Sequence, residues 1–287
     1  MNLGTMNDTQ FYSELVKKNI GVYSQEEQEK LRQSRVIIFG LGGVGGVQAI
    51  LCARMGIGHV TGVDPDEFEV SNFNRQMLAN VHTLGQPKAK AAEEHVKSIH
   101  PFMSTHFIQA EVDETNIHDL VKGHDLVIEA VDDMPSRVII HRTARELGIP
   151  SVGMSGSPPN RGFVSSFFPD GVPYEEVLNI PGKGNRIIDE DLKQEVAELK
   201  KERARYSVTK GAPQEWADAY CRGEVGWIIT PVRAMLIATF SFHEAVQILV
   251  GQEPNARAPK AVWIDLDSST PVEIRTAPPE GWNYAHL

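Results

Sequence analysis

The sequence predicts a doubly wound, mostly parallel α/β sheet, with helices ahead of it and a polar crossover inserted late. Three observations carry that prediction. Arg35-Val-Ile-Ile-Phe-Gly40 runs directly into Leu-Gly-Gly-Val-Gly45 and an apolar helix, the strand–turn–helix order that opens a βαβ unit. Strand-length apolar runs then alternate with helix-length patterns as far as Met154. From Gly182 to Gly223 the alternation gives way to a charged stretch, and Pro231 to Val250 follows as a long apolar segment.

Each element has its own signal. Residues 10–34 read as one or two helices, because Glu26, Gln28, Lys30 and Arg32 interleave with Leu15, Val16 and Leu31 at loose helical spacing. Val36 to Phe39 is a buried strand, Gly40 to Gly46 a turn, Val47 to Met55 a helix without a breaker, and His59 to Asp64 the next strand. Pro87 to Ser98, rich in Ala, Lys and Glu, is a helix; Ser104 to Ala110 is a strand and Ile117 to Val121 a short helix. Leu126 to Val131 is a strand leading to Asp132 and Asp133. The helix Pro135 to Leu147 and the strand Ser151 to Met154 follow, then strands at Arg161 to Phe168 and Ala261 to Asp265. Within Gly182 to Gly223 the charge density predicts a solvated helix between flexible loops. Pro231 to Val250 contains Arg233, His243 and Glu244, which makes it a buried or interface helix and not a membrane span. The tail after Pro271 is expected to wrap the surface. The arrangement is Rossmann-like, divided into an N-terminal helical segment (1–34), a nucleotide-binding core (35–181), a polar crossover (182–223) and a closing helix and strand (224–287).

Composition bounds the function. The 287 residues are 41% hydrophobic, enough for a substantial core. A net charge of −10 argues against a nucleic-acid binder that relies on bulk electrostatics. Two widely spaced cysteines, Cys52 and Cys221, suit a reducing cytoplasm and exclude a disulfide framework. Met1 to Asp8 has no basic region followed by an apolar run, so no secretory signal is expected. With no Cys-x-x-Cys pair and no ordered histidine array, a zinc site is not expected.

The residues that bear chemistry cluster early. Gly40, Gly42 and Gly45 form Gly-x-Gly-x-x-Gly, with Gly43 inside it: a tight turn, room for phosphate against the backbone, and close helix packing. The motif alone most often marks a dinucleotide site. Asp64, about 20 residues on, is placed to bind ribose hydroxyls, with Asp66 as a second acid. Ser71-Asn-Phe-Asn-Arg-Gln76 then adds Asn72, Arg75 and Gln76, and Arg75 brings a planar cation that a dinucleotide site has no use for. Lys88 falls in a helical first turn, where its charge opposes the helix dipole; a nearby anionic ligand would offset that. Asp132 sits at the carboxyl edge of a strand, where one carboxylate can hold Mg²⁺; Asp133 is the competing ligand, and either can cap the next helix. Cys221, beside Arg222, reads either as a nucleophile or as a loop cysteine without a role. Cys52 reads as core.

Together, Gly40-Leu-Gly-Gly-Val-Gly45, Asp64-Pro-Asp66, Ser71-Asn-Phe-Asn-Arg-Gln76, Gly85-Gln-Pro-Lys-Ala89 and Val131-Asp132 resemble the ThiF/MoeB/HesA family, bacterial relatives of ubiquitin-activating enzymes. The resemblance covers about residues 18–170 and, more loosely, 221–267. It implies a homodimeric adenylyltransferase that uses ATP and Mg²⁺ to activate a carboxylate, commonly the C-terminal glycine of a small ubiquitin-like or sulfur-carrier protein, or a peptide. It implies Asp64 on the ribose, Asn72, Arg75 and Lys88 on the phosphates with Gln76 beside them, and Asp132 on magnesium. Where the family's partner subunit lends an arginine, this chain has Lys17-Lys-Asn-Ile-Gly21, so Lys18 is expected to act in trans. No membrane or nucleic-acid partner is expected. Two rivals stand beside this reading: an NAD-dependent oxidoreductase, which leaves Arg75 and Lys88 idle, and a nucleotide-binding scaffold without catalysis.

Overall fold

The computed structural model describes residues 6–181 and 190–287. Residues 182–189, the first part of the predicted crossover, and 1–5 lie outside the described residues. Two capped helices lead the chain: α1 (Asp8–Leu15) starts at a capping box on Asn7, and α2 (Gln25–Gln33) at one on Ser24. They are followed by β1 (Arg35–Phe39), α3 (Gly45–Met55), β2 (His59–Val63), α4 (Lys88–Ile99), β3 (Ser104–Ile108), α5 (Ile117–Val121), β4 (Leu126–Glu129) and α6 (Met134–Glu146). Next come β5 (Ser151–Ser157), β6 (Arg161–Phe167), α7 (Tyr174–Val177), α8 (Glu190–Val208), α9 (Gln214–Cys221), α10 (Pro231–Val250), β7 (Lys260–Asp265) and β8 (Val272–Thr276).

One eight-stranded sheet runs in the order β3-β2-β1-β4-β5-β6-β7-β8. The β3-to-β5 half is parallel, and β5 to β8 pair antiparallel. β1 shows why the sheet is covered on both faces. Val36 and Ile38 point into a core shared with α3, α4 and α10, while Ile37 and Phe39 point into one shared with α5 and α6. The chain leaves β1 for β2 on one side and later returns to β4 on the other. That reversal opens a crevice at the carboxyl ends of β1 and β4.

Three expectations change. β5 continues past Met154 to Ser157, because it forms a seven-residue hairpin ladder with β6. The predicted solvated helix is α8, and it is solvated on one side only: Leu192, Val196, Arg203, Ala204 and Ser207 form a buried stripe. The tail after Pro271 first adds an edge strand, β8, before the short turn Tyr284–His286 docks inside. α10 is the one described helix long and apolar enough to cross a membrane. It is instead a core helix, packed on α2, α3, β5 and β6, capped by Thr230 and ended by Gly251 in the left-handed region.

Candidate active site

The crevice is a cavity of about 760 Å³ that takes in Gly40, Gly42, Gly43, Asp64, Asp66, Arg75, Gln76, Lys88 and Asp132 of the predicted set. Glycine is required at the turn for steric reasons. Gly40 has φ +85° and lies against β4, where a Cβ would stand 2.6 Å from the Ala130 carbonyl oxygen. A Cβ on Gly45 would stand 1.8 Å from the Gly40 carbonyl oxygen. Gly45 thus shapes the turn from behind and is not on the cavity wall.

The acids divide the work. Asp64 is 4% exposed; its Oδ2 accepts the Leu41 amide at 2.6 Å and its Oδ1 the Asp66 amide at 2.9 Å. It therefore organises the glycine turn as well as facing the cavity. Burial raises its pKa, against the Leu41 amide and the Lys88 charge. The Asp66 carboxylate is largely exposed and accepts from Lys88 Nζ at 2.8 Å. Lys88 Nζ also lies 4.0 Å from Asp64. The dipole misfit of Lys88 is thus offset by the chain's own carboxylates, and does not by itself signal a ligand.

Arg75 is held by its Nη1, which donates to the Ser71 carbonyl and to Asn74 Oδ1. Its remaining donors have no carboxylate partner among the described residues. Gln76 is buried with Oε1 unpartnered, and its side-chain amide lies against Gly42. Asn72 is not on the wall: its Oδ1 accepts the Glu69 amide and closes the turn Val70–Asn72 beneath Arg75.

At the end of β4, on the same cavity, Asp133 is the one of the two neighbouring acids that caps the next helix. Its Oδ2 accepts from the Ser136 amide and hydroxyl, capping α6. Asp132 is left exposed, with no side-chain partner among the described residues, while its carbonyl accepts from Lys200 Nζ at 3.0 Å. Arg137, which sequence reasoning did not single out, fixes this bend. Its guanidinium donates to the Val131 and Met154 carbonyls and lies 3.4 Å from buried Glu129. Burial is the largest single influence and opposes its charge, but Glu129 together with Tyr174 and Tyr284 outweighs it and the net pKa is raised. The Ser-Arg spacing after Asp133 was the only available hint.

Two predicted residues stand elsewhere. Cys221 ends α9 with Sγ 3.7 Å from the Lys201 carbonyl, off the cavity wall, and Arg222 is taken by Glu224 at 2.7 Å. The cation invoked to activate the thiol is thus already neutralised. Lys18 is an exposed turn residue beside Asn19, which contacts Met55 at the far end of α3, about 16 Å from the glycine turn by helix rise.

The remaining wall comes from distant parts of the chain: Lys200 and Arg203 of α8, Tyr220, Trp227, Arg233 and Tyr284. Arg203 Nε donates to Ser157 Oγ at 2.6 Å, and its guanidinium lies over the Tyr284 ring. Arg233 is fully buried, donates to the Pro159 and Ile228 carbonyls, and keeps Nε unpartnered. Burial, with Arg203 and Arg161 nearby, pushes it down to about 9, still charged at neutral pH. Among the described residues no three His, Cys, Asp or Glu side chains gather around one metal position.

Sequence and structure comparisons agree with this architecture. The SAMP-activating enzyme E1 of Haloferax volcanii is 37% identical over 127 residues, 44% of this chain and 47% of that protein. The molybdopterin-synthase adenylyltransferase of Salmonella typhimurium is 36% identical over 112 residues, 39% of this chain and 45% of its own. The chain thus spans about half the length of these curated relatives. Among solved structures, E. coli MccB with ATP superposes over 97% of this chain and 80% of its own, with TM-score 0.67 and 16% identity. PaaA superposes over 93% of this chain and 71% of its own, with TM-score 0.62 and 22% identity. At those identities the likeness is one of fold. The profile of the ThiF family matches residues 16–281, nearly the whole chain, and the chain belongs to the ThiF family.

Proposed function

We propose that the chain binds ATP with Mg²⁺ in this cavity and transfers AMP to a substrate carboxylate, releasing pyrophosphate. The observation that carries the reading is one cavity that gathers the glycine turn, Arg75, Lys88 and the Asp132 carboxylate, which has no side-chain partner among the described residues. The fit is chemical as well as spatial. A hydride-transfer site has no need of Arg75's free donors, whereas a triphosphate does. Magnesium needs only one or two protein carboxylates when phosphates complete its shell; Asp132 would hold it, and it would supply neutralisation of the charge on the departing pyrophosphate.

The chain's own residues do the rest. The glycine turn at the start of α3 brings backbone amides to the phosphates. Asp64 and Asp66 face the ribose, and Lys88 lies between them and the triphosphate. A carboxylate oxygen attacks the α-phosphorus; an O–P bond forms, the bridging O–P bond breaks, and pyrophosphate takes the electron pair. Arg75 and Lys88 stabilise that growing charge, and no general base is required. The client is the C-terminus of a small ubiquitin-like or carrier protein, or a peptide. The relatives named for SAMP and sulfur-carrier activation support this, as does the MccB structure in complex with N-formylated MccA. We assign Cys221 no part in it.

Asp132→Ala is expected to cut pyrophosphate exchange by about 100-fold or more, as removal of a metal-holding carboxylate does, with an unchanged circular dichroism spectrum. Exchange retained in the variant overturns the metal assignment. Calorimetry that shows NADH binding but no Mg-ATP binding by the parent protein overturns the whole reading.

A further inference from the structure

Three arginines meet at the β5–β6 hairpin. Ser157 Oγ accepts from Arg203, the Pro158 carbonyl accepts from Arg161 at 3.2 Å, and the Pro159 carbonyl accepts from Arg233 at 3.3 Å. All three are buried, at 2%, 3% and 0% exposure. Among the described residues no carboxylate lies within ion-pair distance of any of them. Arg233's charged neighbours are the other two cations, and Asp265 acts on Arg161 only from beyond pairing distance. Carbonyls and the faces of Tyr284, Trp227 and Tyr206 hold the guanidiniums in place, but none of these cancels a charge. The Leu287 carboxyl oxygen accepts from Ser157 Oγ at 2.6 Å and so reaches Arg203 only through that hydroxyl, leaving Arg161 and Arg233 without it. A group of buried like charges without a directly paired counter-ion is costly, and a core needing only volume is served as well by methionine.

We propose that Arg203 and Arg233, with Arg161 behind them, form a subsite for a second carboxylate on the acid that is activated. The inference rests on the adenylation reading and specifies its substrate: a dicarboxylic acid, free or presented as an acidic side chain near a peptide terminus.

Position separates this subsite from the nucleotide. Arg203 and Arg233 line the same cavity as the glycine turn, beside Gly156 on β5. In the strand order β2-β1-β4-β5, Gly156 stands two strands from the glycine turn and three from Asp64. At about 4.8 Å per strand, that is about 10 Å and 14 Å. The triphosphate grip and the arginines therefore address different ends of the bound pair, with the α-phosphorus between them. Arg233 Nε, buried and without a partner, is a ready donor at that end. Trp227, whose Nε1 donates to the Gly156 carbonyl, adds an aromatic face to that wall.

Pyrophosphate exchange at saturating Mg-ATP tests this with two sets of acids. One set is the straight-chain dicarboxylates from succinate to suberate with their monoamides; the other is tripeptides Asp-Gly-Gly and Glu-Gly-Gly with their Asn and Gln counterparts. In at least one set the diacid is expected to exceed its amide by at least about tenfold in kcat/KM, the loss expected when a bidentate charge pair is replaced by a neutral amide. The set that responds identifies the source. Arg203→Gln and Arg233→Gln are each expected to bring that ratio to about one with KM for ATP changed less than about twofold, and Arg233→Lys to restore part of it and guard against a folding defect. Equal rates for acid and amide overturn the subsite. So does a ratio that survives both substitutions, or a rise in KM for ATP in their place, or no exchange with any acid while calorimetry shows Mg-ATP bound. Failure of Mg-ATP to bind the parent protein overturns the adenylation reading instead.

Discussion

Gly45 is the tightest point of the site, although it never faces the ligand. A methyl group there would overlap the Gly40 carbonyl, so either the helix start or the strand end must move. Gly45→Ala is expected to destabilise the fold by about 2 kcal/mol or more, as forced overpacking does, and to weaken Mg-ATP binding by about tenfold or more. Urea unfolding and calorimetry check the two effects, and an alanine variant that bound nucleotide like the parent would remove the turn from the cradle. At this scale the sequence was readable where function is local. Gly40, Gly42, Gly43, Gly45, Asp64, Arg75, Gln76, Lys88 and Asp132 lie in short segments whose spacing has a physical purpose, and all but Gly45 reach the cavity. Arg137, Arg203 and Arg233 were not readable. An arginine in Glu198-Leu-Lys-Lys-Glu-Arg203 has the local look of a solvated face, and only the packing of α8 turns it inward. The second role of Asp64, holding the Leu41 and Asp66 amides, is likewise set by three-dimensional contact.

Two helices are pinned by histidines kept neutral. His141 of α6 stacks on Tyr174 of α7 at 4.1 Å, receives or gives a hydrogen bond at Ser151 of β5, and lies 3.6 Å from Glu129. Burial lowers its pKa; Glu129 and Glu175 oppose this and Arg137 adds to it. His100, at the end of α4, stacks on Phe11 with both ring nitrogens unpartnered, and burial again lowers its pKa; Asp8 opposes this, and Arg32 and Lys97 add to it. A histidine whose folded pKa lies below its ordinary 6.5 binds more protons when unfolded, so its contribution to stability falls as pH drops below 6.5. Each group held fully neutral takes away at most about 1.4 kcal/mol per pH unit in that window. The melting temperature is therefore expected to fall between pH 7.5 and pH 5.5, roughly 2–4 °C per kcal/mol for a chain of this size, and His100→Phe to flatten the slope. A slope unchanged by that substitution would take His100 out of the account. Element by element, the parallel half was legible because its central strands β1 and β4 are apolar on both faces and strand-length runs alternate with helices around them. β8 was not, since it is a short, exposed edge strand whose brief alternation Val272-Glu-Ile-Arg275 buries no face, and α7 and α9 are too short or too polar to show a period.

On the scale of the molecule, Lys18 and its own cavity lie at opposite ends of α3, so any contribution to the nucleotide must come from a second copy. If the protein works as a homodimer, Lys18→Ala and Asp132→Ala are each expected to be inactive alone. Mixed and re-equilibrated, they are expected to recover about a quarter of the parental exchange, because half of the dimers then carry one complete site. Recovery no greater than the sum of the separate variants rules out sharing.

The two walls of the cavity also differ in ancestry along the polypeptide. One is assembled from a continuous stretch, Gly40 to Asp133. The other is gathered from β5, α8, the Trp227 loop, α10 and the turn at Tyr284. On the adenylation proposed above, such a layout lets a lineage exchange its client by rewriting scattered positions on one bank while the bank proposed for the nucleotide stays as it is.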